Sequence, residues 1–87
     1  MDIYRTAHKP GISDAAILRA LNNAITIIDV EPDADPPKVL AIGPDRAGNL
    51  LEIIWLELAD DAQLVIHAMP LRSTFYDLLP FPGEDTP

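Results

Sequence analysis

Between Val39 and Met69 the chain reads VLAIGPDRAGNLLEIIWLELADDAQLVIHAM, three apolar runs interrupted by two short polar stretches. Runs of four to nine apolar residues, rich in β-branched and aromatic side chains and bounded by Gly, Pro, Asp and Asn, are the pattern of strands and their turns. Connections this short join antiparallel neighbours, because a parallel crossover needs a dozen residues or more. The segment therefore specifies a three-stranded antiparallel meander, and the rest of the chain must pack around it.

The expected strands are Val39–Ile42, Leu50–Leu58 and Gln63–Met69. Gly43–Asn49 (GPDRAGN) and Asp60-Asp61 are the turns, and Pro70 stops the last strand. Upstream, Ile25–Val30 (ITIIDV) reads as one more strand, giving four. Glu31–Pro37 (EPDADPP) carries three prolines and three acids and can only be an exposed connection. Ahead of it lies one helix, from Asp14 to Asn23 or Ala24. Ser13 is its N-cap, and Asp14 suits the positive end of the helix dipole. Ile12 and Ile17 are spaced as a hydrophobic staple. Ile17, Leu18, Leu21 and Ala24 or Ile25 form the apolar stripe, and Asn22-Asn23 can end the helix through the left-handed conformation that Asn tolerates. Met1–Lys9 is an extended lead-in punctuated by Pro10-Gly11. Arg72–Leu79 forms a short C-terminal helix capped by Ser73, and Phe81–Pro87 is a Pro-rich acidic tail. The expected fold is α+β: an N-terminal helix packed on a twisted four-stranded antiparallel sheet, with a short C-terminal helix, in a single domain.

The last hairpin fixes which side chains share a face. With Asp60 and Asp61 as the loop, Ile54 opposes His67, Glu52 opposes Met69 and Leu56 opposes Val65. These six lie on one face; Ile53, Trp55, Ile66 and Ala68 lie on the other. The Trp55 face is the more apolar and should receive the helices. The Glu52–His67 face is the candidate working face.

Composition narrows the chemistry. Eighty-seven residues make one small domain, and 48% hydrophobic residues suffice for a core. The absence of cysteine excludes disulfides, thiol catalysis and Cys-based zinc sites. No run approaches the ~20 apolar residues of a membrane span and no basic-plus-apolar leader is present, so a cytoplasmic protein is expected. Six Lys/Arg against fourteen Asp/Glu give a net charge of −8, which repels nucleic acid except where the cations cluster and attracts a basic partner. Acidity of this kind also serves solubility alone.

Six residues carry the candidate chemistry. His67, near the end of the last strand, can act as a general acid or base, with Glu52 orienting it. Arg46, at the tip of GPDRAGN, and Arg72, after the last strand, can hold phosphate oxygens through planar guanidiniums. His8 and Lys9 can contact a phosphate from the lead-in. Each also has a plain structural reading: a half-buried histidine bonded to backbone, or cations in water. Arg19 reads as solvated only. Two histidines without His-x-x-x-His spacing do not make a metal site, and Asp29, Glu31, Asp33 and Asp35 lack the order of a calcium loop. Gly43 and Gly48 belong to turn chemistry, not to a phosphate-binding glycine motif, so no cofactor is expected.

The order HKPGIS (His8–Ser13), a helix containing Ala20-Leu21-Asn22, VLAIGPDRAGNLLEI (Val39–Ile53) and LVIHAM (Leu64–Met69) resembles the small RelE-like toxins of type II toxin–antitoxin modules, closest to the BrnT-type group. The resemblance covers roughly His8 to Arg72. It implies a ribonuclease neutralised by a cognate antitoxin that usually carries a DNA-binding domain. The chemistry implied is attack of a ribose 2′-hydroxyl on the adjacent phosphate. His8-Lys9 match the family's basic lead-in, and Arg46 lies in the hairpin where the family often places basic residues. Met69 stands where the family commonly has Arg, and Arg72 follows three residues later. A non-catalytic acidic interaction module on the same fold is the competing reading. A homodimer formed through an exposed sheet edge or face is compatible with both.

Overall fold

The structure, a computed structural model, describes residues 2–4 and 12–80. His8, Lys9, the Pro10-Gly11 punctuation and the Phe81–Pro87 tail lie outside the described residues. Along the chain come β1 (Asp2–Ile3), α1 (Asp14–Asn22), β2 (Thr26–Glu31), β3 (Lys38–Pro44), β4 (Leu50–Glu57), a 3-10 turn (Ala59–Asp61), β5 (Gln63–Pro70) and a 3-10 segment (Ser73–Leu78).

The coarse class is α+β, but the sheet has five strands and is mixed. Its order is β1-β5-β4-β3-β2, and β1 pairs parallel to β5 through Asp2–Leu64 and Ile3–Val65. A two-residue strand has no alternation to detect, so the lead-in reads from sequence only as extended chain. Ile3 packs against the core and Tyr4 N–H donates to Val65 O at 2.9 Å. The expected C-terminal helix is a 3-10 segment, and Ser73 does not cap it. Six residues give too few i→i−4 bonds to propagate an α-helix, so the tighter form prevails.

The α1 helix starts as its sequence requires. Ser13 Oγ accepts from Ala16 N–H at 3.1 Å, and Asp14 occupies the first turn. Replacing Ser13 with Ala should lower the unfolding free energy by about 1 kcal/mol, read as an earlier urea midpoint at unchanged m-value. The C-terminus differs from expectation. Asn23 has φ −117°, outside the left-handed region, and closes the helix by donating from Nδ2 to Arg19 O at 2.8 Å. The buried stripe is Ile17 and Ala20; Leu18 is exposed. A small residue wins because β3 approaches the helix backbone closely at Ala20, where Gly43 leaves no Cβ between them.

The core lies between α1 and one face of the sheet. Ile17 and Ala20 meet Val39, Ala41, Leu51, Ile53, Trp55, Val65 and Ala68. Trp55 thus packs on the helix face, with its Nε1–H satisfied by Glu57 Oε2 at 2.8 Å. The pairs Glu52–Met69 and Ile54–His67 occur as expected. Between them and the turn the pairing is one residue out of step: Leu56 faces Leu64, and Trp55 faces Val65. The physical cause is a turn with Asp60 and Asp61 both at φ 62°, closed by Ala62 N–H to Ala59 O, after which Leu58 N–H pairs with Ala62 O. A bulge opposite the Ile54–Trp55 step restores the register before His67. Val65, not Ile66, is therefore the residue buried beside Trp55.

The second face is strapped by the C-terminal segment. Leu71 N–H pairs with Leu50 O at 3.0 Å, Arg72 reaches Glu52 on β4, and Thr26 Oγ on β2 donates to Leu78 O at 3.2 Å. The strap thus runs across the sheet from β5 to the far edge. Beneath it Ile42 and Glu52, paired across β3 and β4, are fully buried.

Candidate active site

Glu52 is the one buried charged residue among the described residues, with no accessible surface. Strand alternation forces it there. Leu51 and Ile53 must face α1, so Glu52 must face the strap. A bare carboxylate in that position would be severely penalised, and two neighbours, Arg72 and His67, prevent this. Arg72 donates its backbone N–H to Oε1 at 2.9 Å, its Nε to Oε2 at 3.0 Å and its Nη2 to Oε2 at 2.7 Å. His67 Nε2 lies 2.9 Å from Oε2. Burial pushes the carboxyl's pKa up, but the hydrogen bonds from Arg72 and His67, together with the Arg72 charge, outweigh it and leave the group below its usual 4.5. Glu52 is therefore ionised at neutral pH. Its carboxylate reciprocally raises the Arg72 pKa.

The cluster is sealed at its centre and open at its ends. The His67 and Arg72 side chains keep 27% and 49% of their surface, against none for Glu52. An ionised carboxylate only accepts, so the His67 nitrogen facing it carries the hydrogen. In the neutral ring Nδ1 is then the basic nitrogen, and it has no hydrogen-bond partner among the described residues. Arg72 uses Nε and Nη2 on Glu52, leaving Nη1 uncommitted, and its guanidinium stacks over Phe75 at 5.4 Å from the ring centroid. A base with an oriented ring and a fixed cation beside it can remove a proton and stabilise an oxyanion.

Of the six residues singled out by sequence, three come together: Glu52, His67 and Arg72. His8 and Lys9 lie outside the described residues. Arg46 does not join the triad. It lines a cleft of about 710 Å³ on the α1 side of the sheet, with Ser13, Leu18, Arg19, Asn22 and Asn23. Arg19, read from sequence as merely solvated, is thus a cleft residue. Nothing in its helical spacing signals this, because the other wall is a hairpin supplied from distant sequence. Among the described residues no group of three or more His, Asp or Glu is placed to hold a metal ion, and no helix is long and apolar enough to cross a membrane.

Comparison with family models, with curated proteins and with solved structures gives no match.

Proposed function

We propose that this chain is the toxin component of a type II toxin–antitoxin module, a RelE/BrnT-like ribonuclease held inactive by a cognate antitoxin. The observation that carries the reading is the buried carboxylate clasped between an imidazole and a guanidinium that both reach solvent. The motif resemblance from His8 to Arg72 supplies the reaction class. His67 Nδ1 takes the proton of a ribose 2′-hydroxyl, and the 2′-oxygen attacks the adjacent phosphorus. Arg72 Nη1 holds the phosphorane charge. The P–O5′ bond breaks, the 5′-oxygen leaves with a proton from water, and a 2′,3′-cyclic phosphate remains. Glu52 acts through both groups, fixing the ring and the guanidinium without touching substrate.

His67→Ala should reduce cleavage of single-stranded RNA by about 10²–10⁴-fold, the range typical of a lost general base. The urea midpoint checks that the variant is folded. Retained cleavage in folded His67→Ala protein would remove the mechanism. Arrested growth on expressing the chain alone, relieved by co-expressing its neighbour, tests the biological role.

In this reading the antitoxin docks on β2. This strand ends the sheet, Ile27 is 61% exposed, and Val30 also reaches solvent. Its outer backbone edge pairs with no other strand among the described residues, and Asp29, Glu31, Asp33 and Asp35 follow along it and the connection beyond. An extended basic segment fits such an edge by strand addition. Pairing of β2 with a second copy is opposed by charge, since each chain carries −8.

The same acidic edge favours the second reading, a non-catalytic module that captures a basic partner. Purified protein that leaves RNA intact yet binds a basic peptide tightly would select it.

A further inference from the structure

Four cations fall among the described residues: Arg19, Lys38, Arg46 and Arg72. Two are neutralised. Lys38 pairs with Glu31 at 3.5 Å and Arg72 with Glu52 at 2.7 Å. The other two, Arg19 and Arg46, line the same cleft between α1 and the β3–β4 hairpin. Neither guanidinium makes a hydrogen bond or ion pair among the described residues. Fourteen acids are spread through the sequence, yet among the described residues none lines that cleft.

The hairpin explains why Arg46 stays free. Its neighbour Asp45 is the obvious counter-ion, but its carboxylate is turned into the loop. Oδ1 accepts from Ala47 N–H at 2.9 Å and from Asn49 N–H at 2.8 Å. Gly48, at φ 89°, closes the same turn with its N–H on Asp45 O at 3.0 Å. The acid is thus consumed in folding the tip that presents the arginine. Gly43, lying against the Ala20 backbone, lets the hairpin approach the helix closely enough for Arg46 and Arg19 to share a cleft. The Asn22 amide and the Ser13 hydroxyl add neutral donors, and Leu18, exposed against the logic of its helix, gives an apolar wall.

We propose that this cleft is an oxyanion site that takes the phosphate group of a nucleotide. Two planar guanidiniums match the charge and fork geometry of phosphate, and the Leu18 wall suits the adjoining sugar or base. The site lies on the helix side of the sheet, whereas His67 and Glu52 face the strap. It stands whether or not the triad is catalytic.

The test reads binding, not cleavage. Amide and side-chain resonances are followed during titration with inorganic phosphate, uridine 5′-monophosphate and a 2′-O-methyl oligoribonucleotide, which cannot be cleaved by 2′-hydroxyl attack. Expected with each probe are saturable shifts at Arg19–Asn23, the Asn22 side chain and Asp45–Gly48. Affinity for phosphate and for the monophosphate should drop about tenfold or more in Arg19→Ala and in Arg46→Ala and be largely kept in the lysine variants. Similar affinities for monophosphate and oligomer identify a free nucleotide as the ligand. A much tighter oligomer with strong salt dependence identifies an RNA strand. No saturable shift with any of the three probes, or alanine variants that bind like the parent, would overturn the proposal.

Discussion

Glu52→Ala should be among the most damaging single substitutions in this chain, lowering the unfolding free energy by about 3 kcal/mol. Two losses combine. A fully buried side chain leaves a void under the strap, and the clasp that ties Arg72 and its backbone N–H to β4 disappears. The figure sits at the low end for a broken buried pair because the stranded partners are partly exposed and water can solvate them. A domain of this size holds on the order of 4–13 kcal/mol in all, so the melting temperature should fall on the order of 15 °C. Differential scanning calorimetry measures it. Glu52→Gln keeps the volume but loses the charge, and should fall between parent and Ala.

The same clasp sets an acid limb. The folded-state pKa of Glu52 lies below its usual 4.5, so the carboxylate's contribution is fully present above that value and is lost as pH falls through the folded pKa. Urea midpoints of parent and Glu52→Gln should therefore run parallel above about pH 5 and converge below it, since only the parent loses a charge. Curves that stay parallel down to strong acid would mean that the clasp contributes nothing through its ionisation.

Gly43→Ala should be comparably severe by the opposite route. A Cβ at this position falls on the Ala20 carbonyl oxygen, 2.9 Å from the carbonyl carbon and 3.1 Å from the Ala24 Cα. All three are backbone atoms, so no rotamer change relieves the clash; the whole helix must lift from the sheet. Overpacking typically costs about 1–3 kcal/mol, and a backbone collision belongs at or above the top of that range. The lifting also separates Arg19 from Arg46. Gly43→Ala should thus lose both chemical stability and phosphate binding, while Gly48→Ala, whose Cβ meets nothing within 4 Å, strains only its positive φ. Paired urea melts and phosphate titrations on the two variants distinguish packing from turn strain.

Most of the architecture is legible in the chain because it rests on local periodicity. The alternation in LLEIIWLE puts Glu52 and Ile54 on one face and Ile53 and Trp55 on the other, and Ser13 followed by a helical stripe fixes where α1 begins. His67 opposite Ile54 follows from counting back from the Asp60-Asp61 turn, although two irregularities had to cancel for the count to hold there. Where they do not cancel, the count fails, and Val65 takes the core place expected of Ile66. A bulge is a response of backbone twist to cross-strand packing, so one strand's sequence does not announce it.

What the sequence determined by itself is a helix, a three-stranded meander with one further strand before it, and a carboxylate on the same face as a histidine, since each is set by residues a few positions apart. Tertiary structure alone decided the rest. It added β1 to the sheet, turned the chain after Pro70 so that Arg72 closes on Glu52, and set Arg46 beside Arg19 instead of beside His67. Each of those contacts joins segments whose spacing carries no periodic signal. Their geometry is fixed by close packing, above all the approach of Gly43 to the backbone of α1.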